Sequence, residues 1–350
     1  MAELSGIKNK VLAGERLNRE EGIALMTSND LLFLGELADI VRKRKSGDNA
    51  YFNLNLNINY TNICILRCPL CAFSRDLDDG YLLSLEEIEE KVHYGLGLGI
   101  KEFHIVGGLH PKLNLSYYED MLKRLKKIGS GIFLQAFTAT EIDHISKTFS
   151  LEDVLKRLKD AGLDSIPGGG AEVFSERVRQ IISPNKISGK RWLEVMETAH
   201  KLGIRSNATM LYGHIETAEE RVDHILQLRQ LQDRTGGFLA FVPLSFHPQN
   251  TSLSYCKGSD GVDDLRVFAT ARLLLDNFPH IKGLWMYLGE KLVEVALSFG
   301  VDDIGGTGFE EKIVSSAGAQ TPFEISKDRL TRIIKNAGRI PMEVNSVYQG

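Results

Sequence analysis

Apolar and polar residues alternate strictly over positions 52–59, where Phe52, Leu54, Leu56 and Ile58 interleave with Asn53, Asn55, Asn57 and Asn59. A period of two specifies a strand with one apolar and one amide-bearing face. Asparagine along a whole face implies a polar interior near a ligand. Upstream, Ser28-Asn29-Asp30 can cap a helix over residues 31–45, whose Arg42, Lys43, Arg44 and Lys45 suit the negative C-terminal end. Residues 1–48 therefore read as an N-terminal helical segment packed on the domain that follows.

Beyond residue 59, short apolar runs near 102–106, 132–137, 163–166, 204–211, 238–246, 281–288 and 301–304 alternate with glycine-rich or polar turns and amphipathic helices. Capping boxes open several of these helices: Ser84 with Glu87, Ser116 with Glu119, and Thr217 with Glu220. Counting 52–58 there are eight strand candidates, spaced widely enough for the right-handed crossovers that parallel strands require. This predicts an α/β fold, a (βα)8 TIM-type barrel, complete or partly open, over residues 49–310. Residues 311–350 then form a C-terminal helical extension of the same domain. Unusual residues follow the strands: the cysteines of 64–71, Gly107-Gly108-Leu109-His110-Pro111, Thr138-Ala139-Thr140-Glu141, the glycines of 167–172, Tyr212-Gly213-His214, His247 to Thr251, and Gly305-Gly306-Thr307-Gly308. In such barrels the C-terminal mouth carries the chemistry.

Composition narrows the function. Forty-two Lys+Arg against 46 Asp+Glu leave a net charge of -4, with no basic surplus to hold a nucleic-acid backbone. No apolar run approaches the ~18–20 residues that span a bilayer, and positions 1–6 lack the apolar stretch of a secretory signal, so no membrane association and a cytoplasmic location are expected. Four cysteines are too few for a disulfide scaffold, and three of them, Cys64, Cys68 and Cys71, fall within eight positions. Cys256 lies 185 positions beyond Cys71 and reads as a lone thiol.

Three thiolates at C-x3-C-x2-C on one loop can wrap an inorganic cluster. On a cubane of four irons they leave one iron open to an exogenous ligand, as an electron-delivering catalytic cluster requires. A closed zinc site completed by His104 or His110, in a non-catalytic metal-binding barrel, is the alternative. The spacing, with the aromatic Phe73 two places after Cys71 and Gly107-Gly108 36 positions after it, resembles the radical S-adenosylmethionine (SAM) superfamily. That resemblance implies a 4Fe-4S cluster on Cys64, Cys68 and Cys71. It also implies a SAM site at Phe73, Gly107, Gly108, Thr140, Glu172 and Gly213, with Glu172 on the ribose hydroxyls. Glu216 reads as a helix-start carboxylate rather than a catalyst.

With no cysteines to spare for a second cluster, the adenosyl radical is expected to act directly. Over residues 10–348 the chain is similar to the aminofutalosine synthase family of menaquinone biosynthesis. The similarity rests on stretches including Asn59-Tyr60-Thr61-Asn62-Ile63-Cys64, Ala136-Phe137-Thr138-Ala139-Thr140-Glu141 and Asn207-Ala208-Thr209-Met210-Leu211-Tyr212-Gly213-His214. It implies a transferase that adds the 5'-deoxyadenosyl radical to 3-[(1-carboxyvinyl)oxy]benzoate, giving 6-amino-6-deoxyfutalosine, methionine and bicarbonate or carbon dioxide. A flavodoxin or ferredoxin is the implied reductant. Dehypoxanthine futalosine cyclase and the deazaflavin synthase subunit share the same single-cluster pattern and stand as alternatives. For the two substrate carboxylates the candidates are His110, His214, His247, Asn250 and Thr251, and Glu141 is a candidate to move a proton or bind a hydroxyl.

Overall fold

The computed structural model describes residues 2–319 and 324–349. Its strands are β1 (Asn49–Asn53), β2 (Asn55–Ile58), β3 (Glu102–Ile105), β4 (Phe133–Ala136), β5 (Ser165–Ile166), β6 (Arg205–Tyr212), β7 (Phe238–Ser245), β8 (His280–Ile281), β9 (Asp303–Gly306) and β10 (Ile340–Glu343). Strands β2 to β8 form one parallel sheet in sequence order, and β1 lies between β10 and β9 in a second parallel sheet. The alternating stretch is thus a single run broken at Leu54. β9 and the residues after it bring the two ends of the large sheet together: the Gly283 amide donates to the Asp303 carbonyl at 2.8 Å on one side, and the Asn57 amide of β2 to the Phe309 carbonyl at 2.8 Å on the other. The result is a TIM-type barrel, partly open where regular pairing lapses to single bridges.

Alternation sorts the side chains. Leu56 and Phe103 point outward against Gly95 of the helix Leu85–Gly97, while Asn55, Asn57 and His104 line the interior. The apolar core therefore lies between strands and helices, where each fully buried Leu or Phe contributes about 1.5–3 kcal/mol, and on this side of the barrel amide and imidazole groups face the interior. Ser84 and Thr217 form the predicted capping boxes, and Asp30 caps the helix Leu31–Ser46 through the Phe33 amide.

Several expectations are corrected. Ser116 and Glu119 form no capping box: Asn114 caps the helix Leu115–Ile128, and Glu119 pairs with Arg157 at 2.6 Å. The run 281–288 is a two-residue strand followed by the helix Trp285–Leu288, since an apolar run suits either element. Gly305-Gly306 lie inside β9 rather than in a turn after it. The C-terminal extension, of which residues 320–323 and 350 lie outside the described residues, holds the helices Ile313–Ser316 and Lys327–Asn336 and also β10.

Candidate active site

A cavity of about 400 Å³ opens among the C-terminal strand ends, and Cys64, Cys68 and Cys71 all line it as free thiols. Backbone bonds fix their loop: the Cys64 amide donates to the Arg75 carbonyl at 3.1 Å, Ile65 to Leu109 at 3.1 Å, and Cys71 to Cys68 at 2.9 Å. Arg75 adds bonds to the carbonyls of Ala72 at 2.8 Å and Ser74 at 2.9 Å. Burial pushes the Cys68 thiol up to about 11, against the pull of nearby Lys186. Proton release there requires a cationic partner.

Around the thiols the backbone comes close. A Cβ on Gly108 would sit 2.2 Å from the Ile63 carbonyl oxygen and 3.0 Å from Cys64 Cβ, so only glycine lets the end of β3 lie against the cysteine loop. Glu141, fully buried, accepts from the Gly107 amide at 3.1 Å and the Tyr60 hydroxyl at 2.8 Å, and from the Thr138 amide at 2.7 Å. The last bond belongs to a capping box of the helix Ala139–Ile145. Burial raises the Glu141 carboxyl above its ordinary range. Across the cavity Glu172 adopts a left-handed backbone (φ 49°) and pairs with Lys186 at 2.5 Å. Burial alone would raise Glu172, but Lys186 outweighs it and holds the carboxylate low. Thr140 Oγ1 and Asn207 Oδ1, both on lining residues, have no hydrogen-bond partner among the described residues. Such buried atoms are costly unless a ligand satisfies them.

The chain is 47% identical to aminodeoxyfutalosine synthase of Thermus thermophilus, over 98% of this chain and 94% of that one. It is 41% identical to aminodeoxyfutalosine synthase of Streptomyces coelicolor, over 98% and 92%. A relative of another name, 5-amino-6-(D-ribitylamino)uracil–L-tyrosine 4-hydroxyphenyl transferase of Methanococcoides burtonii, is also 41% identical, over 90% and 91%. The radical SAM superfamily model matches residues 58–228, and that of the CofH/MqnC C-terminal region residues 235–350. The chain belongs to the radical SAM superfamily. The fold agrees: the FeFe-hydrogenase maturase HydG from Carboxydothermus hydrogenoformans superposes with a TM-score of 0.77 at 19% identity, covering 99% of this chain and 81% of that one.

Radical SAM enzymes use a 4Fe-4S cluster and SAM, and the residues present fit both. Three unbridged thiols share one cavity, glycine clears the approach at Gly108, and unpartnered polar atoms wait at Thr140 and Asn207. The zinc alternative has no built site. His104 bonds Asn55 and Glu102 instead, and His110 accepts from the Lys112 amide at 3.2 Å.

The structure brings Cys64, Cys68, Cys71, Phe73, Gly107, Gly108, Thr140, Glu141 and Glu172 to one cavity. The remaining candidates lie outside its lining. His214 is buried between the Leu211 carbonyl at 3.0 Å and the Glu216 carboxylate at 2.6 Å. Gly213 and Cys256 border a separate depression. His247 reaches the Tyr287 carbonyl at 3.2 Å, Asn250 donates to the Ser316 carbonyl at 3.1 Å, and Thr251 closes a turn on Pro248 at 2.7 Å. Glu216, read from the sequence as a helix-start carboxylate, instead lies before the N-cap Thr217 and clamps the loop, accepting from the Gly213 amide at 2.7 Å and pairing with Arg221 at 2.7 Å. Lining residues that sequence reasoning passed over include Lys186, Lys282, Gln135 and Glu311. Lys282 had one signal, a lone cation in an apolar run.

Proposed function

We propose that this chain is a transferase of the aminodeoxyfutalosine synthase type, joining the adenosyl group of SAM to 3-[(1-carboxyvinyl)oxy]benzoate to give 6-amino-6-deoxyfutalosine. The observation that carries this reading is likeness to two enzymes of that name across 98% of the chain. Cys64, Cys68 and Cys71 would hold a 4Fe-4S cluster, which would supply the electron for splitting SAM into methionine and an adenosyl radical, and the enolpyruvyl carboxyl of the substrate would leave as bicarbonate or carbon dioxide. A flavodoxin or ferredoxin is the donor this reading calls for.

The chain's own residues then have definable tasks. The backbone at Gly107 and Gly108 can approach the amino group of SAM because no side chain stands in the way. Glu172, kept ionised by Lys186, accepts the ribose hydroxyls, and Thr140 Oγ1 and Asn207 Oδ1 gain the hydrogen bonds they lack. Glu141 is a positioning residue. Its oxygens already serve three donors and tie the end of β3 to the Thr138 turn. Leu66, Leu70, Leu109, Leu211 and Leu244 wall the cavity and exclude water and stray hydrogen donors from a primary carbon radical. Holding the vinyl carbon close to that radical makes addition effectively unimolecular.

Anaerobic incubation of reconstituted, reduced enzyme with SAM and 3-[(1-carboxyvinyl)oxy]benzoate tests the reading by mass spectrometry. The expected product contains both adenosyl and benzoate parts. Free 5'-deoxyadenosine without adduct would instead indicate a hydrogen-abstracting relative such as a dehypoxanthine futalosine cyclase.

A further inference from the structure

Two lysines line the cavity, and they stand at different levels. Lys186 acts on Cys68 and is bound to Glu172 at the cysteine end. Lys282 follows β8 and bridges to Asp303, the first residue of β9. Around it are Glu102, the first residue of β3, and the C-terminal residues Ser346 and Tyr348. The Ser346 amide and hydroxyl donate to Glu102 at 2.5 Å, and the Tyr348 hydroxyl donates to Asp303 at 2.6 Å. These contacts gather at strand starts, whereas the cysteines sit on the loop leaving the end of β2. Lys282 therefore marks the floor of the cavity, and the cysteines mark its mouth.

The hydrogen-bond inventory at the floor is unbalanced. Lys282 Nζ is 3.0 Å from Asp303 and 5.4 Å from the centre of the Tyr348 ring, and Asp303 is its one carboxylate partner among the described residues. Asp303 is itself shared with the Tyr348 hydroxyl and with the Gly305 amide at 2.7 Å. An ammonium carries three donors, so a buried Lys282 has donors left for a ligand in the cavity. The neighbouring groups cannot substitute for it. Asn55 donates to His104 Nδ1 at 3.1 Å, and His104 Nε2 lies 2.6 Å from Glu102, so both ring nitrogens are engaged. Val242, Leu244, Leu284 and Met286 supply apolar lining to the cavity that Lys282 enters, and Asn55, Asn57 and Gln135 supply amides. Apolar side chains together with a buried cation suit an aromatic ring that carries a carboxylate.

We infer that Lys282 is the subsite for the ring carboxylate of the aromatic substrate, held in position by Tyr348 from beneath. The inference rests on the proposed reaction, in which the vinyl carbon must lie at the cysteine end, so that the carboxylate across the ring is the one that reaches the floor. Tyr348 acts through Lys282 and Asp303 and is a positioning residue.

The test compares adduct formation from 3-[(1-carboxyvinyl)oxy]benzoate and from 2-phenoxyacrylate, which lacks the ring carboxylate, in reconstituted wild-type enzyme, Lys282→Met, Lys282→Gln and Tyr348→Phe. The ratio of kcat/KM for the two substrates on one protein does not depend on how much of it is folded. Wild-type enzyme is expected to favour the carboxylated substrate roughly 10- to 100-fold, and both Lys282 variants are expected to lose that preference. Tyr348→Phe is expected to raise KM for the carboxylated substrate more than it lowers kcat. Lys282 variants that keep the full preference would overturn the subsite, reducing Lys282 to a structural ion pair. If wild-type enzyme makes no adduct from either substrate, the proposed reaction itself fails and the subsite falls with it.

Discussion

Single side chains in this protein take their roles from what surrounds them. Glu216 shows the point: burial alone would raise its carboxyl, yet His214, Arg221 and the Gly213 amide outweigh burial and hold it down at about 2. A carboxylate depressed on folding adds stability that is fully present above its unfolded value and is lost as pH falls through the folded one. Glu216→Gln is therefore expected to cost on the order of 3 kcal/mol at neutral pH and to flatten the acid loss between about pH 4.5 and 2. Denaturant titrations across that range check it, and an unchanged acid profile would contradict the clamp. Glu141→Gln tests positioning through the urea midpoint at neutral pH. Gln replaces one acceptor oxygen with a donor, so about 1–3 kcal/mol of stability should go. At this scale the sequence was legible where chemistry is local. The thiols at 64, 68 and 71 fall within eight positions, so their spacing marked them, and the glycines at 107 and 108 were marked by the family resemblance which that spacing carries. His214, His247, Asn250 and Thr251 also sit beside strand ends, but their hydrogen bonds run to nearby backbone, and no pattern in sequence reveals which way a turn residue points.

At the level of elements, the barrel was readable because period-two strands, capped helices and glycine turns recur in order. What escaped depends on distant partners. β10 pairs with β1 across almost the whole chain, and Ser346 and Tyr348 gain meaning only from Glu102 and Asp303. The contact between the end of β3 and the cysteine loop is a tight element-level constraint on the site. Gly108→Ala would place a methyl 2.2 Å from the Ile63 carbonyl oxygen and force the loop to move. The expected outcome is a chain that folds but retains much less iron after reconstitution, measured as iron per chain and visible absorbance. Full iron retention would show that the loop does not need this approach. Cys256→Ser, in a separate depression, is the matching control and should keep its iron.

Across the whole molecule, one buried carboxylate joins pieces far apart in sequence. Asp302 accepts from Arg272 at 2.7 Å, Ser46 at 2.5 Å, His280 at 2.9 Å and the Ile281 amide at 2.8 Å. It thereby couples the helix Leu31–Ser46, the helix Gly261–Leu274 and β8. Asp302→Asn leaves the Arg272 charge buried without its counter-ion, a change that costs about 3–5 kcal/mol, and a lower urea midpoint with an unchanged slope is the expected signature. Among the described residues no helix is long and apolar enough to cross a membrane. In the proposed reaction the adenosyl group leaves this cavity attached to the substrate. The most direct measurement is an anaerobic single turnover with SAM labelled in the ribose, following where the label goes. Label is expected in a product that also carries the benzoate ring and has lost the enolpyruvyl carboxyl; label confined to 5'-deoxyadenosine would overturn the transferase reaction.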